Sequence, residues 1–178
     1  MKATCRTIAL IACLLPATGI TADLPEVRSV PTLDLARYAG KWYEIAAFPM
    51  FFQRNCLGDT TAEYSLRADG EVTVDNRCRT ESGTDRAVGR AWAPDGKDNA
   101  RLKVSFFWPF RSDYWVIGLD EDYRWAVVGN PNRKYLWILS RTPQLSEAEL
   151  ARAQAAASAQ GYDLGALRFT AQPGVVSR

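Results

Sequence analysis

Apolar and polar residues alternate with a period of two along much of the chain. Ala62, Tyr64 and Leu66 alternate with Glu63, Ser65 and Arg67; after an Ala68-Asp69-Gly70 turn, Val72 and Val74 alternate with Thr73 and Asp75 up to Cys78. Alternation of this kind marks a strand with one buried face, because successive side chains of a strand point to opposite sides. The segments Trp42–Phe48, Arg86–Trp92, Arg101–Phe107, Tyr114–Leu119, Trp125–Gly129 and Tyr135–Ser140 continue the series, with Asp95-Gly96 and Asn130-Pro131-Asn132 as turn punctuation. Eight strands in succession, joined by short loops, predict an antiparallel up-and-down barrel, which closes the sheet and removes its exposed edges. A barrel of eight strands has an interior that side chains fill or that holds one small ligand.

The pattern changes near the C-terminus. Ser146-Glu147-Ala148-Glu149 is a capping box, and the Ala-rich stretch that follows runs to Gly161, a C-terminal cap. This predicts one α-helix, with few bulky apolar residues and no Lys, that packs on the barrel wall rather than on a membrane surface. Leu167–Thr170 is expected to add to the sheet beside the first strand. No repeat or linker divides the body.

The first residues read as an address. Lys2 and Arg6 precede an apolar run, Ile8–Leu15, then Pro16 and the small residues Ala17–Ala22. This is the layout of a secretory signal, with cleavage expected after Ile20-Thr21-Ala22, and the run is shorter than the roughly 20 residues a membrane-spanning helix needs. Leu10-Ile11-Ala12-Cys13 resembles a bacterial lipobox, so acylation at Cys13 is the alternative to simple cleavage. The expected layout is a signal at 1–22, an extended segment at 23–34, the barrel domain at 35–172 and a tail at 173–178.

Composition then narrows the chemistry. The 178 residues hold 22 Lys+Arg, 20 Asp+Glu, four Cys and no His. Residues 1–22 carry two bases and no acid, so the exported chain has 20 of each sign and no net charge. That excludes a nucleic-acid binder held by phosphate contacts. The lack of His excludes Ser-His-Asp and Cys-His catalysis and every histidine metal or haem site. After cleavage Cys56 and Cys78 remain, and two cysteines in an exported protein most simply form one disulfide.

Two motifs carry a resemblance. Gly40-Lys41-Trp42-Tyr43-Glu44 matches the G-x-W-Y signature of the lipocalins, and Ser140-Arg141-Thr142-Pro143 matches their last motif. The chain resembles most the bacterial outer-membrane lipocalins and their apolipoprotein D and plant temperature-induced relatives. Phe52-Gln53-Arg54-Asn55-Cys56 and Leu102–Phe107 are also similar to stretches of the bacterial branch. The resemblance implies that Arg141 lies across Trp42 and closes one end of the barrel. It also places Asp120 and Tyr123, from Leu119–Tyr123, at the position of the family's middle motif.

Aligning strand parity with that family puts Ala62, Tyr64, Val72, Val74, Val104, Phe106, Tyr114, Val116, Tyr135 and Trp137 inward. The lining is uncharged and aromatic, with phenol hydroxyls able to orient a polar head. It suits a fatty acid, lysophospholipid or similar lipophile, unless these side chains fill the barrel outright. The expected function is binding, storage or transport of such ligands in the bacterial envelope, either periplasmic or at the outer membrane, without a cofactor, metal or catalytic residue. The alternative is an enzyme on the same barrel acting on a lipophilic substrate. A small lipophile, the outer membrane and a second copy of the chain are the candidate partners; nucleic acid is not. The loop Phe106-Phe107-Trp108-Pro109-Phe110 is a lid, a lipid contact or a protein contact.

Overall fold

In a computed structural model, described for residues 24–96 and 99–174, eight antiparallel strands close into a barrel. The strands are β1 (Gly40–Ala47), β2 (Gly58–Leu66), β3 (Val72–Thr80), β4 (Gly83–Trp92), β5 (Arg101–Phe107), β6 (Phe110–Leu119), β7 (Trp125–Gly129) and β8 (Leu136–Ser140). Each pairs with its successor, β8 pairs with β1, and β1 also pairs with β2 through Trp42↔Ala62 and Gly40↔Tyr64. A short helix, α1 (Leu35–Tyr38), precedes β1, and α2 (Glu147–Ala159) follows β8. A ninth strand, β9 (Arg168–Phe169), pairs with the end of β1, as the sequence led us to expect. The expected signal peptide and cleavage site, with Cys5 and Cys13, lie outside the described residues.

Two packed layers hold the barrel together. Inside, Trp42, Tyr64, Val72, Val74, Leu102, Val116 and Val128 form one cluster; outside, Ile117, Val127, Leu136 and Ile138 pack under Ala153 and Ala157 of α2. β7 is therefore buried on both faces, which is why its sequence is a continuous apolar run rather than an alternation. The helix lies close because both surfaces are small. A Cβ on Gly118 would stand 2.9 Å from the Ala156 methyl carbon, a distance that ordinary packing forbids. The capping box forms as read: the Ser146 hydroxyl accepts from the Glu149 amide, and the Glu149 carboxylate accepts from the Ser146 amide. Gly161, at φ +78°, terminates the helix.

The segment before α1 has no regular structure but is not free. Val27 and Leu33 are buried, and the Val30 amide donates to the Val116 carbonyl. Where β1 and β2 splay apart, residues 169–172 fill the wedge. The Thr170 amide donates to Ile45 O, the Asp59 amide donates to Ala171 O, and the Gln172 side-chain amide donates to both Glu44 O and Thr60 O. The barrel thus needs its C-terminal segment to close at that corner.

Candidate functional site: a sealed floor below an open cup

Strand direction sorts the loops to two ends. At one end lie α1 and the connections at 67–71, 93–96 with 99–100, and 120–124; at the other lie 48–57, 81–82, 108–109 and 130–135. The first end is sealed. Trp42 is fully buried and donates from Nε1 to the Tyr38 carbonyl at 2.8 Å. The Arg141 guanidinium sits 3.8 Å from the Trp42 ring centroid and donates to the carbonyls of Lys41, Arg37, Tyr38 and Tyr123. Gly40, at φ +92°, has Arg141 Nη1 3.4 Å from where a Cβ would stand, so a side chain there meets both backbone strain and the guanidinium. Asp120 accepts from the Asp122 and Arg124 amides and from the Arg124 guanidinium. The Tyr123 hydroxyl accepts from the Asp34 amide. The five signature positions Gly40, Trp42, Asp120, Tyr123 and Arg141 meet at this end, and their geometry is that of a plug.

Above the plug lies a floor of phenols. The Tyr114 hydroxyl is 2.8 Å from that of Tyr38 and 2.8 Å from that of Tyr64. Burial pushes all three hydroxyls up from their ordinary range, Tyr64 to about 12, so the trio is neutral at physiological pH. Two hydrogen bonds use two of three phenolic protons, so one has no acceptor among these oxygens. The adjoining void, lined by Leu35, Val72, Val74, Leu102 and the three tyrosines, measures about 10 Å³, room for at most one water. Tyr64 and Tyr114 are therefore inside, as parity indicated, but their hydroxyls first satisfy each other and Tyr38. Tyr38 sits on a four-residue helix, too short to give a periodic signal.

Toward the other end the inner face opens. Along the inward register of β4, Ala91 is buried, Gly89 half-buried and Ala87 exposed; along β5 Leu102 is buried, Val104 half-buried and Phe106 43% exposed; along β6 Val116 is buried, Tyr114 half-buried and Ser112 exposed. On β8 Leu139 is buried, while Trp137 and Tyr135, which immediately precedes the strand, are half-buried and stacked, with centroids 5.9 Å apart. Ala62, Val72 and Val74 are buried in the interior cluster. Phe106 faces inward but stands exposed at the rim. The β5–β6 register shifts between Val104 and Phe107, the buried Ser105 hydroxyl donates to the Phe110 carbonyl, and the Phe106 ring lies over Gly89 at the rim.

One inward group was not in the apolar pattern. Glu44, two residues beyond Trp42, is buried and accepts from the Thr170 hydroxyl at 2.6 Å and the Gln53 amide at 2.9 Å. Burial raises its carboxyl above the ordinary range, against those two hydrogen bonds. It borders a cleft of about 510 Å³ between the 48–57 loop and residues 168–171. Strand parity from Trp42 points to Glu44 directly. On β3, two residues past Val74, the Asn76 side-chain carbonyl is buried without a partner. The Cys56–Cys78 disulfide forms, with an S–S distance of 1.99 Å, and fastens the 48–57 loop to the upper part of β3. Among the described residues no cluster of three or more His, Cys, Asp or Glu is placed to hold a metal.

A plugged antiparallel barrel with one open end, a Trp–Arg seal and a helix on its wall defines the class. The Lipocalin-like domain family matches residues 33–172, and the chain belongs to the lipocalins. It is 42% identical over 161 residues to the outer membrane lipoprotein Blc of Escherichia coli, covering 89% of this chain and 86% of that one. It is 41% identical over 155 residues to temperature-induced lipocalin-1 of Arabidopsis thaliana, covering 83% of each. Insecticyanin from the tobacco hornworm Manduca sexta shares the fold at a TM-score of 0.69 and 21% identity, over 85% of this chain and 87% of that one.

Proposed function

We propose that the protein reversibly binds a small lipophile, such as a fatty acid or lysophospholipid, in the upper half of its barrel. Val104, Phe106, Val116, Tyr135 and Trp137 form the upper wall of this site; Ala62, Tyr64, Val72, Val74 and Tyr114 form its lower part. The supporting observation is the grading of one inner face, apolar apart from Glu44 and a few small polar groups, from buried above the plug to solvent-exposed at the rim. A surface of that shape gains by covering its apolar area, at about 25 cal/mol per Å² before ordering costs, while the plug prevents passage through the barrel. The spare phenolic proton and the Asn76 carbonyl offer one donor and one acceptor to a polar head. Turnover is not part of the proposal, since the Cys56 and Cys78 thiols are consumed in a disulfide and cannot serve as nucleophiles while it lasts.

The setting we propose is the bacterial envelope, reached through the 1–22 signal, with simple cleavage before Asp23 or acylation at Cys13 as its two forms. Kinship with outer membrane lipoproteins supports it. An intact mass of the exported protein distinguishes a plain Asp23 start from a diacylated Cys13. Displacement of a fluorescent fatty acid by unlabelled lipids tests the binding: saturable displacement at one site per barrel is expected, and a probe that never partitions into the protein refutes it.

A further inference from the structure

Phe51, Phe107, Trp108 and Phe110 are 76%, 73%, 72% and 70% exposed, and Phe52 is also exposed. All five belong to the open end. Phe107 and Phe110 stack at the β5–β6 tip, while Phe51 and Phe52 pack edge to face, and Phe52 reaches Tyr135 of the 130–135 loop. Single exposed apolar residues are ordinary, but aromatic rings concentrated on adjoining loop tips mark a contact surface. The same three loops contain no acid. Their charges are Arg54 in 48–57, Arg111 in 106–112, and Arg133 and Lys134 in 130–135. Among the described residues Arg54 and Arg111 are exposed and make no ion pair. The fourth connection at this end, 81–85, is the reverse: it holds Glu81 and Asp85 and no large apolar residue.

We infer that the open end is a membrane-docking surface, which sets the Phe51–Arg54 and Phe107–Arg111 loops into the headgroup layer of an anionic phospholipid bilayer. Aromatic rings suit the boundary between acyl chain and headgroup, and the neighbouring cations suit lipid phosphates. Charge decides against a second copy as the occupant. Two mouths face to face would bring Arg54, Arg111 and Lys134 against their own duplicates. The acidic 81–85 hairpin is repelled by the same surface, so the barrel docks tilted, with that hairpin lifted toward water. In this pose the cup faces the layer that holds lipophiles, but the docking stands independently of what the cup binds.

The test is flotation of the exported protein with vesicles, in a Cys13→Ser background so that no acyl chain at that residue contributes. Vesicles of phosphatidylcholine alone are compared with vesicles containing phosphatidylglycerol. Flotation is expected to be stronger with phosphatidylglycerol. Phe107→Ser with Trp108→Ser lowers it about tenfold or more on both, and Arg54→Gln with Arg111→Gln removes only the phosphatidylglycerol preference. The altered side chains are exposed, so unfolding midpoints serve as the folding control. Binding of a soluble fatty-acid probe is measured in parallel and should be unaffected. Absence of flotation, flotation indifferent to these changes, or a dimer in sedimentation that the Phe107/Trp108 change dissociates would each overturn the inference.

Discussion

The two ends of this barrel are built from the same strands by opposite rules. At the plugged end Trp42, Arg141, Tyr38 and Tyr123 leave almost no space, and nearly every polar atom has a partner. At the open end inward residues such as Ala87 and Ser112 meet solvent, rings stand exposed, and the 48–57 loop is held by a disulfide and by little more than Phe48 and the buried Met50. Close packing is concentrated at one end, and the other stands open.

Mutation can break that contrast, and the largest effect belongs to the plug. Trp42→Ala should lower unfolding free energy by about 3–5 kcal/mol, read by urea denaturation, whereas Phe107→Ala at the rim should change it by no more than about 0.5 kcal/mol. Equal costs at the two sites would erase the distinction. Reducing the Cys56–Cys78 bridge should cost about 2–4 kcal/mol and, more tellingly, speed exchange of a bound fluorescent lipid, since the loop it fastens flanks the mouth. Arg141→Met keeps bulk but removes the cation and its donors from four carbonyls; about 2 kcal/mol is expected, with ligand affinity unchanged.

The smallest effect at neutral pH belongs to the floor tyrosines, whose signature is a pH dependence. The floor tyrosines titrate higher in the folded protein than in the unfolded chain, where phenols lose protons near pH 10. The folded state therefore holds more protons between about pH 10 and 12, and stability falls as pH rises through that window, by about 1.4 kcal/mol per unit for each phenol. Tyr114→Phe should make that slope shallower, at a cost of about 1–2 kcal/mol at pH 8 from the hydroxyls left unpaired. An unchanged slope would mean that the trio is not what titrates.

The contrast also explains which parts were legible in the sequence. Period-two alternation exists only where one face is wet and the other dry, so Tyr64, Val72 and Val74 stand out in the sequence, whereas Val116, between the apolar Trp115 and Ile117, was placed inward by parity with the family. Near the rim both faces are wet and the alternation vanishes. There β4 starts at Gly83 rather than Arg86, and β6 at Phe110 rather than Tyr114. The register shift between Val104 and Phe107, which leaves the Phe106 ring exposed at the rim, has no compositional mark. Glu44 was legible by register from Trp42 but hidden by its charge, because inward positions were sought among apolar residues. Arg141 over Trp42 came from resemblance to a family, and no periodicity points to it.

The central claim is that the open cup, and not the plug, holds a lipophile. Native mass spectrometry of the purified exported protein, compared with an Ala87→Trp variant, tests it most directly. Ala87 faces inward yet is exposed, so the added indole occupies the cup without disturbing the core. The account predicts that the unaltered protein carries or takes up one fatty acid or lysophospholipid per chain, and that Ala87→Trp takes up none while unfolding at the same urea concentration. Retention of the same lipid by Ala87→Trp, or no uptake by the unaltered protein, would contradict it.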